Sequence, residues 1–393
     1  MARLYYILIF ALVVISCDIS ENEVLPSSTF TKIYDDSRFS ESHTPVDIIQ
    51  VADSGYLALL ERKIDGETFS GIGVLKVNSA GEILQYNEIE NDLVYPIKSW
   101  LILNGQPNFV AMNRNTLQAQ LVSVAADGSV SNIVPLGGIS YPMVTAIDGS
   151  GFLLQSYNSV DKRTVISSIS ASGQIQATAD FDIGAGENIE VPIINHFTKN
   201  GPQLPFQVGR TGNLVYFNGY YNYTFSLVFT DLSDDTPNGI CQGQQNNGGI
   251  GGVMSLGQNL FAISRFNFGE NYLNPLATIP TNSITSSIDL EGNTFPELVS
   301  NAPVFIQQGS INNSIIYVST TKSNRIVLLA FDAMSGELKG THYLGNLNPF
   351  EASSLSFTGD GGLIILGRTF LEGRFSRIAL FKLDESFVQS LTN

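Results

Sequence analysis

The sequence predicts an all-β protein, a β-propeller of seven four-stranded blades. Three observations carry that expectation: a turn motif that recurs seven times, its spacing of one blade length, and a composition rich in turn and strand formers. The motif is Asp/Gly-rich and runs into an apolar strand, as in Asp53-Ser54-Gly55-Tyr56-Leu57, Asp148-Gly149-Ser150-Gly151-Phe152 and Asp360-Gly361-Gly362-Leu363. Looser copies stand at Asn104-Gly105, Thr211-Gly212, Gly257-Gln258 and Asn312-Asn313. From Gly55 to Gly362 is 307 residues over six intervals, about 51 each, the length of a propeller blade. Gly numbers 36 while charged residues are only 14%, which suits turns and strands and is unlike a disordered chain. A pair of sandwiches or a β-helix is the alternative; seven even copies suit a closed ring better, and the repeat is too long for a β-helix coil.

The first unit shows the expected blade. Val46–Ala52, Tyr56–Arg62, Gly73–Asn78 and Glu82–Ile89 read as strands, with Gly55 and Gly81 in the hairpin turns. A second motif, a strand ending in a tight turn, follows in most units: Val74 to Gly81, Val122 to Gly128, Ile166 to Gly173, Ser287 to Gly292 and Val327 to Gly336, more weakly Leu227 to Asp235 and Ile378 to Ser386. Continuous apolar runs such as Ile326–Phe331 suit strands buried between neighbouring blades. The last unit leaves only Phe387–Asn393 for its outer strand, while Thr29–Tyr34 has strand character before the first unit begins. Pairing of these ends is expected to lock the ring and cover an open edge.

The amino terminus carries an address. A single Arg3, an apolar run from Leu4 to Ile15, and Val14-Ile15-Ser16-Cys17 resemble the lipobox of bacterial lipoproteins. Twelve apolar residues as a helix reach about 18 Å, short of the roughly 30 Å of a bilayer core. The resemblance implies cleavage after residue 16, lipidation of Cys17, and a membrane partner reached through that anchor. Residues 17–43 read as a flexible tether and 44–393 as the single propeller domain. Acidic residues after the cysteine, and the Asp-Gly-Gly and Phe381-Lys382-Leu383-Asp384 strands, resemble propeller lipoproteins of the Bacteroidetes. That likeness implies attachment at the outer membrane, facing the cell surface, with the periplasmic face or plain secretion as alternatives, and implies fold more than activity.

Topology sorts the loops. With strands A to D antiparallel, A–B and C–D turns share one face, and B–C loops and D–A crossings share the other. The long connections then gather on the second face: Lys63–Ser70, Tyr157–Arg163, Gly184–Leu204, Asn218–Tyr223, Thr236–Gly252, Arg265–Ser283 and Thr369–Arg374. Two aromatic stretches from adjacent units converge there, giving Tyr220, Tyr221, Tyr223, Arg265, Phe266, Phe268 and Tyr272 as candidate binding residues.

Catalytic signals are sparse. His43, His196 and His342 are scattered, and only His196 falls on the long-loop face, where a lone loop histidine reads as solvated. None has metal-ligand spacing, and no cofactor motif stands out. Asp231, Asp234, Asp235 and Asn238 read as a polar turn rather than a Ca²⁺ loop. Gln242–Gly252 resembles a flexible crossing, and with Cys17 acylated Cys241 reads as a lone, buried or inert thiol. The net charge of −16 argues against nucleic acid as a partner. The expectation is a non-catalytic protein-binding or scaffold module, an accessory to an outer-membrane β-barrel protein or transporter. Capture of a glycan or peptide, or a glycan-active hydrolase or lyase, are the alternatives.

Overall fold

Two of the Asp/Gly turns, those at Asp53 and Asp360, close on themselves through their own carboxylate. In the computed structural model Asp53 Oδ1 accepts the Gly55 amide at 2.8 Å, and the buried Lys76 of the third strand reaches the same carboxylate at 2.7 Å. Asp360 repeats the device with the Gly362 amide at 3.1 Å and the buried Lys382 at 3.0 Å. A Cβ at Gly55 would stand 2.4 Å from the Val77 carbonyl, so only glycine lets the turn approach that strand. The structure describes residues 28–35, 41–90, 92–201, 203–245, 247–345, 348–370 and 375–393; the lipobox-like Val14-Ile15-Ser16-Cys17 lies outside the described residues.

Seven sheets result, and their innermost strands abut in series to close a ring. Blade 1 is His43–Gln50, Tyr56–Arg62, Gly71–Val77 and Ile83–Ile89. In blade 2 the inner strand is split, Leu93–Val94 and Leu101–Leu103, ahead of Gln106–Asn113, Gln118–Val124 and Val130–Ser140. Blade 3 is Pro142–Asp148, Gly151–Asn158, Arg163–Ile169 and Ile175–Asp182. Blade 4 is Gln207–Thr211, Leu214–Tyr221, Thr224–Thr230 and Gly239–Gln242, with Ile284–Ser286 added in parallel. Blade 5 is Gly248–Gly257, Leu260–Asn267, Glu270–Thr278 and the two-residue Asn293–Thr294. Blade 6 is Val304–Gln308, Ser314–Thr320, Ile326–Asp332 and Leu338–Leu344. Blade 7 takes Phe350–Phe357, Leu363–Phe370 and Ser376–Leu383 from the end of the chain and Phe30–Tyr34 from its beginning.

The ring is therefore locked by its ends, and the propeller begins inside the stretch 17–43. Phe387–Asn393 supplies no strand: Glu385–Thr392 is a helix, because Asp384 caps it by accepting the Phe387 amide at 2.9 Å. Other readings are corrected in the same way. Ser287–Asp289 is a 3-10 turn, and the third strand of blade 5 is Glu270–Thr278, inside what reads as the loop Arg265–Ser283. Thr236–Gly252 is mostly strand, and its glycines begin the inner strand of blade 5; Gly252 lies against the Val304 carbonyl of blade 6, where a Cβ would stand at 2.7 Å. Of Thr369–Arg374, residues 371–374 lie outside the described residues.

Apolar side chains fill the spaces between blades rather than one central core. Leu57, Leu59, Val74 and Ile72 of blade 1 meet Phe109, Ala111 and Val122 of blade 2, and Ile316, Val318 and Leu328 of blade 6 meet Leu363, Ile365 and Phe381 of blade 7. Near the axis, amide side chains stitch one blade to the next. Gln207 accepts the Val253 amide at 2.7 Å and donates to the Gly251 carbonyl at 3.3 Å, and Gln307 donates to the Leu355 carbonyl at 3.0 Å.

Candidate functional site

The aromatic rim is built mostly into the fold. Tyr220 is fully buried, donates to the Gln245 carbonyl at 3.3 Å and meets Phe225 edge-on at 5.4 Å. Tyr221 is half-buried against Phe181. Arg265 is buried, with its guanidinium 3.8 Å above the Tyr272 ring, whose hydroxyl donates to Glu270 at 2.7 Å. Phe266 is half-buried, and a side chain at Gly249 would touch both it and Phe225. Two rings stand in solvent, Tyr223 at 46% and Phe268 at 70% exposure. The two hairpins do converge, but through their buried members, because ring burial and cation–π stacking are worth more to the fold than to solvent.

The long connection Gly184–Leu204 contains a helix, α1 (Glu187–Phe197). Ile189, Ile193 and Phe197, four apart, put one apolar stripe against Tyr95, Ile97, Tyr141 and Phe206 at the long-loop ends of blades 2 to 4. Two ion pairs hold it down. Glu190 accepts from the Tyr157 hydroxyl at 3.0 Å and pairs with Lys162. Just beyond the helix, Lys199 meets the buried Glu61 of blade 1 at 2.8 Å while lying over the Tyr95 ring at 4.6 Å. Burial pulls the Lys199 ammonium down, but Glu61 and Tyr95 outweigh it and the net direction is up. His196 is not solvated as the loop reading expects: it is 8% exposed, faces Tyr95, Phe197 and Phe206, and its Nδ1 accepts the Leu204 amide at 3.1 Å. Burial first, then the charge of Lys199, pushes its pKa well below the usual value, so it is a neutral packing residue.

Beneath that roof, among the described residues, reactive groups converge near the axis. The inner strand of blade 2 breaks between its two short pieces, and residues 95–100 swing inward. Tyr95 and Ser99 take positive φ, 53° and 95°, a conformation that costs a non-glycine residue energy. The detour is held by the Ile97 amide on the Val110 carbonyl at 3.0 Å and by Thr145 of blade 3, whose amide and hydroxyl both donate to the Lys98 carbonyl at 3.4 Å. The Lys98 side chain is thereby carried toward blade 6, where its ammonium sits 3.7 Å above the Phe305 ring. Blades 2 and 6 stand across the ring from one another, so Lys98 spans the axis.

Asp47 of blade 1 and Ser354 of blade 7 join it. Each follows a β-bulge, between Pro45 and Asp47 and between Ala352 and Ser354; bulges re-aim side chains, and here they bring the Ser354 hydroxyl onto Asp47 Oδ1. The other oxygen, Oδ2, accepts the Trp100 amide at 2.8 Å. Blades 3 and 5 bulge correspondingly, before Val144 and before Gly252. Among the described residues no carboxylate comes within the 4.0 Å of an ion pair to Lys98. Burial pushes its pKa down to about 8, against the pull of Asp47.

The remaining candidates are spent locally. Asp231, Asp234 and Asn238 accept amides of their own turn, Ser233, Thr236 and Asp231, while Asp235 pairs with Arg163. Cys241 is buried, and burial pushes its thiol up to about 11. Among the described residues no three His, Cys, Asp or Glu cluster to hold a metal.

No family model and no curated protein matches the chain. Solved structures do resemble it. The Dos1 propeller aligns at 9% identity over 91% of this chain and 96% of that one, with a TM-score of 0.48. An α-L-arabinofuranosidase of Fusarium graminearum aligns at 11% identity over 91% and 99%, TM-score 0.47. An α-L-arabinanase of Penicillium chrysogenum aligns at 12% identity over 91% and 98%, TM-score 0.46. The expectation of a non-catalytic scaffold module is corrected at its footing, since the aromatic rim on which it rested is mostly interior; two of these solved structures are glycan-cleaving enzymes, an activity that belongs to those proteins. The fold by itself carries neither catalysis nor its absence.

Proposed function

We propose that the protein captures a carboxylate-bearing saccharide at the axis, with Lys98, held on the Phe305 ring, as the anion-binding group. The observation that supports this reading is the unpaired ammonium of Lys98 spanning the axis. Lys98 is half-buried, with its ammonium over a ring and no carboxylate to pair with, so the charge gives up part of its solvation there, a cost that a methionine of similar shape would not carry. Groups that cost stability and serve no packing purpose are the mark of a working site. The chain's charge of −16 repels anions elsewhere on its surface, which confines such a ligand to this cation.

Export and anchoring belong to the same proposal and rest on the sequence around Cys17; a Cys17→Ser variant is expected to lose lipid labelling and membrane attachment. Turnover of the bound glycan is a second reading, favoured by the Lys98 pKa of about 8, which suits a general base near neutral pH. Hydrolysis by two carboxylates finds no support at the axis, where Asp47 has both oxygens engaged.

Lys98→Met tests the proposal. Its folded pKa lies below the lysine value of the unfolded chain, so the cost of its charge is fully present below pH 8 and is relieved as pH rises from about 8 toward 10. The variant is therefore expected to be more stable at pH 7 by about 1–3 kcal/mol, while losing at least tenfold in affinity for uronate oligosaccharides by calorimetry. Wild-type affinity is expected to fall above pH 8 as the ammonium discharges. Absorbance at 232 nm and reducing-end assays on the same samples separate capture from turnover. A lowered Tm in Lys98→Met with ligand affinity unchanged would make Lys98 a structural cross-brace and end the proposal.

A further inference from the structure

A cavity of about 600 Å³ lies on the short-turn face at the seam between blades 7 and 1, lined by residues other than Lys98, Asp47 and Ser354. Its size is within the range of small-ligand sites, about 300–1,000 Å³. Its walls come from the three segments that close the ring: Ser28 ahead of the amino-terminal strand, Gln50 to Tyr56 of blade 1, and Gly359, Asp360 and Lys382 of blade 7. The polar groups are of one kind. Lys382 is buried and already paired with Asp360 at 2.9 Å, so the cavity offers no net charge. Ser28, Ser54 and Ser79 bring hydroxyls, and Gln50 an amide whose oxygen accepts the Gly359 amide at 2.6 Å.

One group in this wall is unspent. Tyr56 is 1% exposed, with its ring among Leu60, Leu75 and Leu380, yet its hydroxyl makes no hydrogen bond among the described residues. Burial, and then the charge of Asp360, push its pKa up to about 12, so it is a neutral donor at any working pH. The ring is held by the core while the phenol lines the cavity, so it presents a fixed donor to whatever enters.

We infer that this cavity is a second binding site, for a neutral mono- or disaccharide, and that its occupancy tightens ring closure. A hydroxyl-lined, charge-balanced wall with one free donor matches a neutral polyol and gives an anion or a cation nothing to pair with. Because the walls belong to both ends of the chain, a ligand here binds the closed ring and not the opened one, and so stabilises it by mass action.

The test uses the full chain carrying Lys98→Met, so that loss of the axial site and failure of this inference are read separately. Glucose, galactose, mannose, xylose, maltose and cellobiose are titrated at up to 20 mM by calorimetry and thermal shift. At least one is expected to bind with a stoichiometry of one and to raise Tm. Tyr56→Phe, which keeps the ring, is expected to lose roughly 5- to 20-fold in affinity, and Ser79→Trp, placed at the exposed rim, to abolish binding with Tm unchanged in the absence of sugar. If none of these sugars binds or raises Tm, or if binding survives Ser79→Trp undiminished, the inference is overturned.

Discussion

Removal of residues before Ser42 is expected to leave a protein that aggregates or melts at least 10 °C below the full chain. Phe30–Tyr34 pairs residue for residue with Lys382–Ile378, and the strand it covers, Ser376–Leu383, is buried along its whole length. Stripped of that cover, blade 7 would present a long apolar edge to solvent, a template for pairing with another chain. The side chains add to the ladder. Tyr34 is 5% exposed, packs with Ile48, Tyr56 and Ile378, and donates to the Gly81 carbonyl at 2.8 Å, while Arg377 pairs with Asp35. Tyr34→Ala alone is expected to cost on the order of 3–5 kcal/mol. Size-exclusion chromatography and thermal melts of both variants check this; an unchanged Tm in the truncation would take the amino-terminal strand out of ring closure. Acid should open the same seam. Asp384 accepts from the Phe387 amide, the Ser386 hydroxyl and the Ser28 hydroxyl, and those bonds hold its carboxyl down to about 2. A depressed acid stabilises above its unfolded value near 3.9, so this contribution is lost as pH falls from about 4 to 2.

Lys199→Met is expected to destabilise the protein by about 2–4 kcal/mol and to loosen α1. The substitution leaves Glu61, with 8% of its side chain exposed, as a carboxylate buried without its cation. Breaking a buried pair costs about 3–5 kcal/mol; the lower range applies because Lys199 keeps 34% of its side chain in solvent. Glu61→Leu combined with Lys199→Met is expected to recover most of the loss, since neither charge is then stranded. Hydrogen exchange should show faster opening of Glu187–Phe197 in the single variant alone. A double variant no more stable than the single one would mean that the pair does more than balance charge.

Much of the ring was legible because its turns are local chemistry. An aspartate two residues ahead of a glycine closes a turn wherever it stands, so Asp53 and Asp360 marked blade edges without knowledge of the rest. The amino-terminal strand was legible for a similar reason, as strand character with no unit of its own to join. The helix α1 was hidden behind Pro192 and an uncapped start at Gly186, although Ile189, Ile193 and Phe197 already carried its period. Tyr220 and Arg265 look like surface residues in sequence, and only the approach of blade 5 to blade 4 buries them. Lys98 carried no signal. It stands among Tyr95, Pro96 and Ile97 as any loop lysine might, and its place across the axis depends on a strand break in blade 2 and a ring in blade 6.

Ring closure also sets an order of events. Ser28 donates to Asp384 across 356 positions of chain, so the first strand made has no partner until the last blade is complete. Contacts this remote are slow to find, and an unpaired apolar strand is an aggregation hazard while it waits. Refolding should therefore show an early phase in which blades gain secondary structure and a late, slower one in which the ring shuts. A protein assembled this way gains from being held unfolded until its whole length has been delivered, and its lifetime afterwards is governed by how seldom one five-residue strand lets go.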